Sequence, residues 1–87
     1  MAHAEETAIS VLVWLAGEPE LMGRFLALTG LEADNLREAA REPGFLAGVL
    51  GFLMSHEPTL MDFCAATDTR PEAVVQAFRA LGGDEAQ

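Results

Sequence analysis

Proline stands at positions 19, 43, 58 and 71, and the first three each follow a glutamate. A proline has no amide proton to give a helix interior, but its fixed φ suits the first helical position. It also drives the preceding residue out of the helical region. The four prolines therefore read as four helix starts. Acids gather beside them (Glu18, Glu20, Glu42, Glu57 and Glu72), where the positive end of the helix dipole favours negative charge. Gly17, Gly30 and the pair Gly82-Gly83 fall where helix ends are needed. The resulting map places helices at about 4–16, 19–29, 33–41, 43–55, 58–67 and 71–81. No segment alternates with period two for long enough to make a strand, so the expected class is all-α.

The text around these prolines recurs. "GEPELMGRFLALTG" from Gly17 is answered by "HEPTLMDFCAATD" from His56. Upstream, "VLVWL" (Val11 to Leu15) matches "VLGFL" (Val49 to Leu53) at an offset of 38. One added residue makes the offset 39 through Met61, and one fewer restores 38. Phe25 then matches Phe63, Thr29 matches Thr67, Leu36 matches Val74 and Ala39 matches Ala77. Helical repeats of this length bury their apolar faces on one another. The sequence predicts a compact bundle of five or six short helices, built from two degenerate three-helix repeats at about 8–41 and 46–81. Trp14 and Phe52 are expected in equivalent places across a pseudo-symmetry axis, as are Phe25 and Phe63. At 9.3 kDa the chain, 1–87, is one domain with one modest core.

The apolar stripes fit this map. Leu21, Met22, Phe25 and Leu28 keep the spacing of a one-sided helix, as do Leu60, Phe63, Cys64 and Thr67, and then Val74, Val75, Phe78 and Leu81. The first and fourth helices are apolar nearly all round and are expected to form the central layer. Gly44, Gly48 and Gly51 each cost the fourth helix about 1 kcal/mol relative to alanine, which predicts close approach by another helix. In the first helix Ile9, Leu12, Val13 and Ala16 make one stripe, with Val11, Trp14 and Leu15 beside it. That is more apolar width than one inward face needs. Val11, Trp14 and Leu15 are therefore the candidate interaction surface. The competing reading places Trp14 in the core, as its match to Phe52 suggests. The third helix has only Leu36, Ala39 and Ala40 and is expected to dock weakly, as a flap.

Charge narrows the choice of partner. The net charge is -9, and the five basic residues are all arginine. Residues 1–43 carry eight acids against three arginines, and residues 44–87 carry six against two, so the charge is not confined to a tail. Such a surface repels phosphate backbones and anionic lipid and suits a neutral or basic partner. The longest apolar run, Gly44 to His56, is too short to span a bilayer. The start "MAHAEET" has no basic region, so no signal peptide is expected. Cys64 has no second cysteine to pair with, which fits a reducing cytoplasm.

"PELMGRFLALTGLEADNLREA" followed by "PGFLAGVLGFLM" resembles an alphaproteobacterial family, domain of unknown function 3572. The likeness runs from about Ala8 to Leu81 and is most specific in "GRFLALTGL", Gly23 to Leu31. The second turn, "TDTRPEAV", departs from that family's usual glycine-leucine turn. The resemblance implies a short, soluble, all-helical bacterial protein and brings no established activity, substrate or catalytic residue.

The chemistry-bearing residues are sparse. His56-Glu57 followed by Asp62 has no second histidine at ligand spacing, and Cys64 has no CxxC partner. Cys64 falls on an apolar stripe, which predicts a buried structural thiol. His56 is expected to cap the end of the fourth helix. Neither enzyme chemistry, nor a cofactor, nor a metal site is expected. Phe25 to Ala40 and Phe63 to Leu81 each have the outline of a helix-turn-helix, with Arg70, Gln76 and Arg79 as groove-facing candidates. Asp34, Glu38 and Glu72 lie among those arginines and oppose that reading. The leading expectation is an acidic cytoplasmic protein-interaction or adaptor module that binds another protein or itself. A helix-turn-helix regulator is the alternative, and neither nucleic acid nor membrane is an expected partner.

Overall fold

The structure, a computed structural model, describes residues 2–83. Among these residues there are six α-helices and no strand: α1 (Ala2–Ala16), α2 (Pro19–Thr29), α3 (Leu36–Ala39), α4 (Pro43–Met54), α5 (Glu57–Thr67) and α6 (Pro71–Ala80). A 3₁₀ turn, Ala33–Asn35, leads into α3. Both ends of the expected domain, Met1 and residues 84–87, lie outside the described residues. Pro19, Pro43 and Pro71 open their helices, and Pro58 is the second residue of α5. Glu42 and Arg70, just before two of these prolines, are extended at φ -100 and -80, as the clash with the following ring requires.

The centre is built by α1, α4 and α6, which make the most extensive contacts in the molecule. Ala4, Ala8, Val11 and Leu15 form the inward stripe of α1. They meet Leu46, Val49, Leu50 and Leu53 of α4 and Val74 and Ala77 of α6. The expected central pair α1 and α4 is thus a central triplet. The small side chain of Ala77 lets α6 come close, a contribution invisible to a search for large apolar residues. Phe25 of α2 and Phe63 of α5, 1% and 0% exposed, complete the core.

Three expectations are corrected by the packing. Leu28 is 72% exposed. The buried arc of α2 runs through Leu21, Met22, Phe25 and Leu26, and Leu28 falls past its edge in the last turn. Gly44 and Gly48 are exposed with nothing near where a side chain would stand. Of the three α4 glycines only Gly51 meets a neighbour, the Phe78 ring, which would lie 3.3 Å from an added Cβ. His56 does not close α4; it stands at the N-cap of α5, where its Nδ1 and the Thr59 hydroxyl share a 2.8 Å hydrogen bond. That bond satisfies Thr59, which is buried.

Two turns use one local device. α2 ends in Gly30 with φ 75, and α5 ends in Asp68 with φ 56, so the left-handed residue falls at matching positions of the two sequences. Before each, a threonine hydroxyl donates to the carbonyl of the buried phenylalanine: Thr29 to Phe25 at 3.0 Å and Thr67 to Phe63 at 2.9 Å. The correspondence weakens afterwards. α6 is a ten-residue helix with two buried residues, whereas α3 is a four-residue helix with none. Leu36 and Ala40 touch the core only partly, which fits the thin stripe of that segment.

Candidate functional site

Val11 and Leu15 are fully buried, so they are not part of an interaction surface. Their burial follows from Ala4 and Ala8 one and two turns upstream, which continue the same inward stripe. The outward apolar residues of α1 are instead Ile9, 39% exposed, and Val13, 67% exposed. They are one helical turn apart and therefore share a face. Sequence reasoning assigned this pair to an ordinary stripe. The signal it passed over is that small Ala4 and Ala8 line up with Val11 and Leu15, leaving positions 9 and 13 opposite.

Trp14 takes an intermediate place. Its ring meets Phe63 edge-on, with centroids 5.7 Å apart and planes at 72°. The rest of the side chain lines an open groove of about 760 Å³ along α1. Ile9, Val13 and Trp14 supply its apolar floor, while Ser10 and Thr67 add hydroxyls. Glu5 and Glu6 stand at the N-terminal end. No arginine lines the groove. His3 lies 3.9 Å from Glu6, and both side chains are in open solvent. The groove thus joins a hydrophobic floor to a paired negative end, an arrangement suited to binding an amphipathic surface.

The other candidates do not converge on it. Cys64 is a buried free thiol. Burial, and secondarily the Glu72 carboxylate, raise its pKa, which opposes nucleophilic use. Among the described residues no group of three His, Cys, Asp or Glu side chains is placed to hold a metal. None of the helices is long and apolar enough to cross a membrane among the residues described. In the first helix-turn-helix outline, the second helix is only Leu36–Ala39, a single turn. In the second, α6 follows a turn that holds Asp68 and Arg70, with Glu72 in its first turn.

No curated protein and no solved structure matches the chain in comparisons with both. One family model matches residues 1–84, nearly the full length, and it bears the description "Protein of unknown function (DUF3572)". The chain belongs to that family.

Proposed function

We propose that the protein is a non-catalytic, cytoplasmic protein-interaction module whose docking face is the α1 groove. One observation carries this reading: Ile9 and Val13 stand exposed side by side next to a half-buried tryptophan, over an open groove. Scattered single apolar residues are ordinary on a surface, but an aligned aliphatic pair beside tryptophan is what interface cores are made of. Tryptophan is also the residue most often found to dominate binding when truncated. Anchored on Phe63, the ring is held in place before a partner arrives, which lowers the ordering cost of association. The nucleic-acid reading draws no comparable support. A net charge of -9 and an acidic approach to α6 oppose a phosphate backbone.

The test pans a random-peptide library on the wild type and counter-selects on Ile9→Asp/Val13→Asp. Both positions are exposed, so the variant should keep the helical content and melting profile of the parent. Enriched sequences that bind only the parent are the expected result. Absence of enrichment, or equal binding to both proteins, overturns the reading.

A further inference from the structure

We infer that the α1 groove takes a basic amphipathic helix of another protein, with an aliphatic anchor at one end of its contact face and arginine or lysine at the other. The inference rests on the docking reading above and adds the chemistry of the occupant. The floor of Ile9, Val13 and Trp14 calls for an aliphatic group. About seven residues before Val13, roughly 11 Å along the helix axis, Glu5 and Glu6 stand together with no arginine in the groove to answer them. A helical ligand lying along α1 meets both features when its cations and its apolar pair are about two turns apart on one face.

Charge also excludes the other occupants. Residues 2–23 contain no lysine or arginine, so a second copy docking through its own α1 brings Glu5 and Glu6, with Glu18 and Glu20 just beyond, and no lysine or arginine to answer them. Each copy further carries a net charge of -9. An anionic membrane surface is repelled for the same reason. A basic segment gains at both ends of the groove: its aliphatic group leaves water, and its cations are steered by the field of the whole protein.

The experiment uses the full chain and synthetic fifteen-residue helical peptides without tryptophan. Trp14 is the only tryptophan and the chain has no tyrosine, so emission reports on the groove itself. The first peptide places two leucines and two arginines two turns apart on one face. A second carries glutamates for the arginines, and a third serines for the leucines. The first is expected to bind saturably with a blue shift of Trp14, and salt should weaken it. Glu5→Gln/Glu6→Gln should weaken it about tenfold, the scale of two exposed ion pairs. The second and third peptides should bind far more weakly. Equal binding of the arginine and glutamate peptides overturns the basic-partner inference and leaves the docking groove standing. If none of the peptides binds, both readings fall. Binding of the first peptide that survives Ile9→Asp/Val13→Asp shows general charge attraction and overturns the inference. A Trp14 shift that follows protein concentration without peptide, with a doubled mass by light scattering, assigns the groove to a second copy and also overturns it.

Discussion

Trp14 packs edge-on against Phe63 at 5.7 Å and 72°, and the residues at the matching positions, Phe52 and Phe25, meet in the same way at 5.3 Å and 69°. The pairs are crossed. An aromatic from α1 covers the phenylalanine of α5, and an aromatic from α4 covers that of α2. In both pairs the ring comes from the other stretch of similar sequence, while α2 packs chiefly on α1 and α5 on α4 and α6, within each stretch.

The correspondence breaks at one place, and the break can be measured. Phe25 has a second ring against it, Phe45, at 5.7 Å and 68°, while the position matching Phe45 is Thr7. Edge contacts between rings add about 0.5–1.5 kcal/mol beyond burial. Phe25→Leu should therefore cost more than Phe63→Leu by about that amount. Trp14→Ala, at a half-buried site, should cost about 2 kcal/mol, below the 3–5 kcal/mol of a fully buried aromatic. Urea midpoints of the three variants give the order. Equal losses for the two phenylalanines would remove Phe45 as an energetic partner.

The two left-handed helix ends make opposite demands. Gly30 at φ 75 bears no steric penalty, but Asp68 at φ 56 holds a side chain where most residues are disfavoured. Asp68→Gly should raise stability by about 0.5–1 kcal/mol and Gly30→Ala should lower it by about 1 kcal/mol. Thermal melting of both proteins reads the signs. Two changes of the same sign would contradict the shared cap geometry.

Glycines in and after helices separate in the same manner. Gly48 lies within α4, exposed and with free space about it. Gly48→Ala should stabilise by about 0.5–1 kcal/mol, the usual difference in helix propensity. Gly83 is buried under the Phe78 ring, which an added Cβ would strike. Gly83→Ala must displace that ring and should destabilise by about 1–3 kcal/mol, the range for overpacking. Melting temperatures moving in opposite directions are the expected result.

Much of this fold was legible in the chain, for an identifiable reason. Proline restricts its own φ and the residue before it, so Pro19, Pro43, Pro58 and Pro71 marked helix starts to within one residue. The sequence led to an expectation of equivalent places for Trp14 with Phe52 and Phe25 with Phe63, but not to the pairing of Trp14 with Phe63 and Phe52 with Phe25. What failed was the direction of faces. On α1 the choice between Val11 with Leu15 and Ile9 with Val13 hung on Ala4 and Ala8, whose burial depends on how closely α4 and α6 approach. His56 failed for a similar reason: its bond to Thr59 depends on that hydroxyl being turned inward. The groove was half legible, since Trp14 belongs to it and its two neighbours there were assigned elsewhere.

The last prediction uses a gap in the composition. The chain has no lysine and no tyrosine, so Cys64 is the only side chain expected to titrate between about pH 8 and pH 11. Burial raises its pKa in the folded protein, and the Glu72 carboxylate adds to the rise. The unfolded thiol therefore releases its proton first. The contribution of Cys64 is fully present below the unfolded pKa, about 8.5. It is lost as pH rises from there through the higher folded pKa. Denaturant midpoints of the wild type should hold steady from pH 7 to 8 and fall above about pH 8.5. Cys64→Ala removes the titrating group, so it should be less stable at pH 7 to 8 and show no such decline, and the gap to the wild type should narrow above about pH 8.5. Parallel alkaline declines in both proteins would mean that the buried thiol carries none of the pH dependence. A thiol that reacts in the folded protein at pH 8 as fast as in denaturant would mean that its burial is not maintained in solution.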